Sequence, residues 1–349
     1  MPLTTTTIGA YPKPKSVRIP DWFDPGAMDS SVATRDYVAA MEKLGKDAEA
    51  IIAGGVREAI EDQVACGIDI PTDGEVKREN YVHYHCRHLD GFDFENLTHR
   101  VLRGGAYETD LPTVRGPVKA KTPFLPDDWR LAQGFTDQAV KMTLPGPMTI
   151  SDTTADEYYG DARALGRDLA EALNREVLAL AEAGCKHIQI DEPLFARKPK
   201  EALDYGLDNI ERCWHGVPDG VTKVMHMCCG YPNHLDQEDY VKADPQAYFD
   251  LARAVDETVV DAVSIEDAHR HNNLELLDLF SRTTVIFGVI AIARSRVETL
   301  EEVRERLRAA LQHLPPERLL AAPDCGLGHL GRDLAMQKLK VLSAAAKSL

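Results

Sequence analysis

Val224-Met225-His226-Met227-Cys228-Cys229 is an apolar run broken by one histidine and closed by two cysteines. A run this short and apolar reads as a buried strand, and alternate residues of a strand project to the same side. His226 and Cys228 therefore face one point, where a neutral imidazole and a thiolate make half of a tetrahedral zinc site. Cys229 falls on the opposite face and reads as a buried thiol. Two other strand-like runs end in residues of matching chemistry: Ala262-Val263-Ser264-Ile265 leads into Glu266, and Ala321-Ala322-Pro323-Asp324 leads into Cys325.

The same punctuation recurs along the chain. Thr6 to Pro12 is the first strand-like run, and Ile68-Asp69-Ile70 leads into Asp73-Gly74-Glu75. Val140 to Leu144 leads into Pro145-Gly146-Pro147, and His187-Ile188-Gln189-Ile190 into Asp191-Glu192-Pro193; Thr284 to Ile292 is a further run. Between them lie helical patterns. Val38, Met41, Leu44, Ala48, Ile51, Val56, Ile60 and Val64 approximate a 3.6-residue period, while Leu165, Leu169, Leu173, Val177 and Leu180 form one stripe ended by Gly184. Thr299 to Glu302 is a capping box that opens a helix with Leu300, Val303, Leu307 and Leu311 on one face. Eight strand-like runs with helical connections predict a single (β/α)8 TIM-type barrel over residues 1–349. Its catalytic residues would come from the C-terminal strand ends. Residues 80 to about 130 are rich in aromatics, Gly, Pro and His without a steady period, and read as an irregular excursion over the mouth that could hold a hairpin. A doubly wound sheet is the structural rival, but no GxGxxG follows a first strand and no P-loop is present.

Composition narrows the function. A net charge of −16 over 349 residues repels a polyanion, which excludes nucleic acid as a partner. No run approaches the ~18 apolar residues of a membrane span, and Met-Pro-Leu-Thr-Thr-Thr-Thr lacks the basic and apolar regions of a signal peptide, so the cytoplasm is expected. The seven cysteines are scattered and odd in number, which fits reduced thiols and a metal site better than disulfides.

Several of these strand ends match one known family in its own order, across almost the whole chain. They are Thr7-Ile8-Gly9-Ala10-Tyr11-Pro12, Asp73-Gly74-Glu75 with Lys77-Arg78-Glu79-Asn80, Pro145 to Thr149, Ile188 to Pro193, His226-Met227-Cys228, Ser264-Ile265-Glu266 and Pro323 to Leu327. The chain resembles the catalytic C-terminal barrel of cobalamin-independent methionine synthase, as a short, single-barrel member. The resemblance implies zinc held by His226, Cys228, Glu266 and Cys325, with a thiol acceptor, homocysteine first, joining the metal. It implies that Glu75 and Asp191 hold the amino acid acceptor and form the catalytic pair, with Ile8 and Ala10 beside the same pocket through their backbone. A helix N-cap is the plainer reading of Asp191, and a solvated loop carboxylate that of Glu75.

The departures concern the methyl donor. The family has serine where Ala10 stands, a tryptophan for the folate pterin where Ile150-Ser151-Asp152-Thr153 offers no aromatic, and an Asp-x-His where Gly288 to Ala293 has no titratable side chain. A donor other than folate is therefore expected, including a methyl group on a corrinoid carrier protein. His83, His85 and His88, or His269, His271 and His329, are the histidines that could supply a replacement acid. Other readings are alkyl transfer to another thiol such as coenzyme M, for which Lys77, Arg78 or Arg294 could hold the sulfonate. A metal-free lyase like uroporphyrinogen decarboxylase and a non-catalytic binding protein complete the set.

Overall fold

The apolar runs form strands whose neighbours cover both faces, and the larger sheet is parallel throughout. The computed structural model describes residues 2–24, 30–102 and 107–349. In chain order its strands are β1 (Leu89–Leu102), β2 (Tyr107–Ala120), β3 (Lys141–Pro145), β4 (Ala155–Asp156), β5 (His187–Asp191), β6 (Thr222–Met227), β7 (Ala262–Ile265), β8 (Thr284–Ile290) and β9 (Leu319–Pro323). The parallel sheet runs β3-β5-β6-β7-β8-β9. Three isolated parallel bridges close it: Thr5 to Ala321 of β9, Thr6 to Ile70, and Thr72 to Lys141 of β3.

Parallel register fixes which side chains point inward. Val224 pairs with Ala262 and His226 with Ser264, which in turn pairs with Ile286. Residues paired in this way share a side, so the chemistry-bearing positions sit above a small apolar layer of Ile8, Val224, Ala262, Ile286 and Ala322. The main core lies outside the ring, between the strands and the helices. Among the described residues no helix is long and apolar enough to cross a membrane.

The helix Ala162–Ala183 follows its sequence stripe: Leu165, Leu169, Leu173, Val177 and Leu180 are buried, Asp161 accepts the Arg163 N–H as cap, and Gly184 ends it at φ 109°. The capping box at Thr299 also forms, although Leu300, the first residue of Leu300–Ala310, faces solvent and only Val303 and Leu307 of the proposed face are fully buried. Elsewhere the elements differ from expectation. The period from Val38 to Val64 belongs to two helices, Ser30–Leu44 and Ala48–Ala65, parted by a 3-10 turn in which Gly45 takes φ 58°. The first strand-like run, Thr6 to Pro12, forms no extended strand; among the described residues its ladder pairing is the bridge at Thr6, with Thr5 just before it bridging Ala321.

The stretch over the mouth is regular. Asn80 accepts the N–H groups of Val82 and His83 and so starts the helix Tyr81–Cys86; β1 and β2 then form an antiparallel hairpin, and the helix Leu125–Gln133 leads back to β3. The hairpin register shifts between Asp90 and Phe92 and again between Asp93 and Thr98. Such bulges break the alternation of period two that would have marked the strands.

Candidate metal centre and substrate cavity

Strand alternation on β6 brings His226 and the residue after its end, Cys228, to one side, and the loop after β9 brings Cys325 to meet them. The ligating atoms of the three all lie within 4.8 Å of one another. His226 Nδ1 is 2.9 Å from Ser264 Oγ on the neighbouring strand, and Nε2 is 3.3 Å from Cys325 Sγ. With the ring proton assigned to Nδ1, which donates to Ser264, the Nε2 lone pair faces the thiols. Ser264-x-Glu266 repeats the spacing of His226-x-Cys228, which puts the serine on the side of its strand that faces the histidine. The Cys228 thiol is held well below the ordinary thiol range, because Cys325 donates to it and His226 adjoins it; Cys325 is pushed up by the same contact.

Glu266 is buried beside this group but does not join it. Its Oε1 is 2.5 Å from Lys242 Nζ, and its Oε2 accepts the Cys229 N–H at 3.1 Å. Asp324, next to Cys325, organises the loop in which Glu266 lies, accepting the backbone N–H groups of Asp267, Ala268 and His269 at 2.7 to 2.8 Å. Gly288 of β8 makes room for it, since a Cβ there would lie 2.4 Å from Asp324 Oδ1.

A cavity of about 200 Å³ opens from the three-residue group, bordered by Ile8, Gly9 and Ala10 on one side and by Glu75 and Asp191 on another. Glu75 is held in the left-handed region at φ 54°, a conformation that a non-glycine residue keeps only when its surroundings enforce it. Its Oε1 accepts from Thr143 Oγ1 at 2.7 Å and from Arg78 at 3.1 Å. Asp191 Oδ1 accepts from Gln189 Nε2 at 2.7 Å. Among the described residues no hydrogen bond reaches the second oxygen of either carboxylate. Burial raises both, Asp191 to about 7. A Cβ on Gly9 would lie 2.6 Å from Glu75 Oε1, so glycine is needed there. Among the described residues no backbone carbonyl takes the N–H of Ile8, Gly9 or Ala10.

The neighbours of the acid pair are spoken for. Glu192 turns from the cavity wall to the helix Pro147–Asp152, accepting from the N–H groups of Met148 and Thr149 and from Thr149 Oγ1. Glu192, not Asp191, holds the cap position of the following helix, Pro193–Arg197, and its side chain makes no cap bond there. Of the cations considered for a sulfonate, Lys77 pairs with Asp128, Arg78 with Glu75 and Asp73, and Arg294 donates to the His269 carbonyl.

The family profile described as "Cobalamin-independent synthase, Catalytic domain" matches residues 3–348. The chain belongs to this family. It is 33% identical to the methionine synthase of Saccharolobus solfataricus over 345 residues, covering 97% of this chain and 92% of that protein. It is 32% identical to that of Sulfolobus acidocaldarius over 344 residues, covering 97% and 89%. A solved B12-independent methionine synthase from Shewanella sp. W3-18-1, in complex with selenomethionine, superposes with a TM-score of 0.86 at 30% identity, covering 100% of this chain and 98% of that one. A methyltransferase from Methanosarcina mazei shares the fold at 12% identity and a TM-score of 0.53. The protein is thus an enzyme of the methionine synthase family.

Against that family pattern, the cavity carries aromatics that the stretch 150–153 lacks. Trp22, Phe23, Tyr81 and Tyr231 line it, with Trp22 stacked on Tyr231 at 6.4 Å and tilted on Tyr81 at 5.1 Å. They come from separate segments, so only the adjacent Trp22-Phe23 pair was visible as a signal. Of the six histidines considered, His83 and His329 line the cavity. Burial lowers His83 to about 4, and its ring bridges Thr34 Oγ1 and the Thr153 carbonyl. His329 is also lowered by burial and donates to the Pro232 carbonyl. His85 is buried against the Tyr81 carbonyl, His88 stacks on Phe124 at 3.8 Å, and His269 accepts the N–H groups of Ile292 and Ala293. His271 is exposed.

Proposed function

We propose that this enzyme methylates the thiol of homocysteine, giving methionine, at a zinc centre built on His226, Cys228 and Cys325. One observation carries the reading: that nitrogen-and-sulfur group opens into the same cavity as two carboxylates, Glu75 and Asp191, each with an unpartnered oxygen. One imidazole and two thiols within 4.8 Å suit zinc better than a hard cation. Glu266 is the fourth ligand of this proposal, and its carboxylate must leave Lys242 to serve. Zinc bound there supplies the charge that keeps an acceptor sulfur ionised at neutral pH.

The remaining residues place the acceptor. Glu75 and Asp191 form the catalytic pair, their free oxygens taking its ammonium group, and the backbone N–H groups of Ile8, Gly9 and Ala10 take its carboxylate without the hydroxyl that the family serine would add. The selenomethionine bound to the Shewanella protein, a product analogue, supports this acceptor. The occupied state of Lys77, Arg78 and Arg294 removes those three as ligands for a sulfonated thiol. The whole of residues 1–349 acts as one catalytic unit in this reading.

On the donor side we propose a methyl group more activated than that of methyltetrahydrofolate, on a corrinoid carrier or a sulfonium. The aromatic wall removes one argument against folate, since a flat ring could stack there. The second argument stands, because His83 and His329 are held neutral by burial and no side chain of 288–293 can protonate a leaving nitrogen. The test incubates the zinc-loaded enzyme with homocysteine and, separately, methylcobalamin, S-adenosylmethionine and methyltetrahydrofolate, with methionine read by mass spectrometry. Methionine from an activated donor is expected. Rapid methionine formation from methyltetrahydrofolate alone would overturn the donor reading, and methylation of a different thiol in preference to homocysteine would overturn the acceptor.

A further inference from the structure

Arg197 ends the helix Pro193–Arg197, six residues after Asp191, and its side chain lines the cavity. Among the described residues it is the one lysine or arginine in that lining, which otherwise carries the carboxylates of Glu75, Asp152 and Asp191. Each of those acids has a partner on one oxygen: Asp152 pairs with Lys198 at 2.6 Å, Glu75 with Arg78 and Asp191 with Gln189. Arg197 has none. Among the described residues no hydrogen bond or ion pair reaches its guanidinium, and its Nε is buried without a partner.

A guanidinium stays charged at any pH the protein survives, and a buried N–H left unpaired costs free energy that a ligand can recover. The planar fork of donors matches a carboxylate or phosphate. Arg197 also shares its surroundings with the metal group, since its charge is felt at both the Cys228 thiol and the Tyr81 hydroxyl. We propose that Arg197 is an anion-binding residue of the cavity, holding an oxyanion of a substrate. The group is either the α-carboxylate of the amino acid acceptor, shared with the backbone N–H groups of Ile8, Gly9 and Ala10, or an anionic group of the methyl donor. The first source rests on the proposed function; the second does not.

Two probes separate them. Calorimetry on the zinc-loaded protein compares L-methionine with 3-(methylthio)propylamine, the same molecule without its carboxylate, in the wild type, Arg197→Met and Arg197→Lys. Glutarate is then titrated into each protein, free and in the presence of L-methionine. If the acceptor supplies the anion, Arg197→Met weakens L-methionine at least ten-fold, leaves the amine unchanged, and Arg197→Lys recovers part of the loss. If the donor supplies it, L-methionine binding is unchanged and glutarate binding is lost in Arg197→Met. Should the wild type not bind L-methionine, the acceptor reading fails while the glutarate arm still decides the role of Arg197. Affinities for both probes that do not depend on Arg197, including no binding of either by the wild type, overturn the proposal. Retention of the wild-type melting temperature in both variants, expected because Arg197 has no partner to lose, shows that the comparison is between folded proteins.

Discussion

Burial holds the Asp191 carboxyl near 7, so its charge changes in the range where ligand binding is measured. An ammonium group is best held by the ionised form. Below pH 7 the carboxyl must first lose its proton, and the affinity for L-methionine is expected to fall by up to about ten-fold per pH unit there, and to level off above it. Calorimetry between pH 5.5 and 8.5 checks this; a flat profile would remove Asp191 from the ammonium site, and Asp191→Asn should flatten it at a lower affinity. A second expectation concerns Cys325→Ser, which should leave the barrel folded and reduce zinc content from about one per chain to a small fraction, read by elemental analysis. At this scale the convergence of His226, Cys228 and Cys325 was legible because each follows a strand-like run and strand ends converge in a barrel, while Glu75 and Asp191 were pointed to by the family resemblance; all five border one cavity. The sequence could not show that Glu266 is held by Lys242, or that Glu192 turns away from its neighbour. Those facts depend on which side chain arrives from a distant segment.

Elements were legible where one face is buried along their whole length, as in Ala162–Ala183, whose stripe and caps agree. They were obscured where a single backbone position interrupts a pattern, such as Gly45 between two helices or the register shifts of the β1–β2 hairpin. The β8–β9 pair offers a test of how closely elements are fitted at the mouth. Gly288→Ala places a methyl group 2.4 Å from Asp324 Oδ1 and 2.8 Å from its Cα, contacts that backbone cannot relieve cheaply. Displacing Asp324 strands three backbone N–H groups beside Cys325. Overpacking and lost hydrogen bonds together should cost roughly 2–5 kcal/mol, seen as a lower urea midpoint with weakened zinc retention. An unchanged midpoint would mean that the loop 267–269 does not depend on Asp324.

For the molecule as a whole, the decisive contacts are the fewest. The eight-fold ring was legible from the count of strand-like runs, yet its closure rests on Thr5 and Thr6, which bridge Ala321 and Ile70, with Thr5 also bonded to Asp69 through its N–H and hydroxyl at 2.8 Å. Deleting residues 2–7 should open β9 and the second strand to solvent, and the product is expected to bind a hydrophobic dye and lose its cooperative urea transition. A sharp transition near the wild-type midpoint would show that seven strands suffice. The same closure bears on biosynthesis. Thr5 leaves the ribosome about 300 residues before the partner it needs on β9, and at ~5–20 residues per second that is an interval on the order of 15–60 s. Throughout it the first strand, bridged to Ile70 on one side, stays unpaired on the other beside a growing apolar sheet, so slow translation or a stalled ribosome exposes this protein to chaperones and to aggregation at the very segment that leads into Ile8, Gly9 and Ala10 of the cavity.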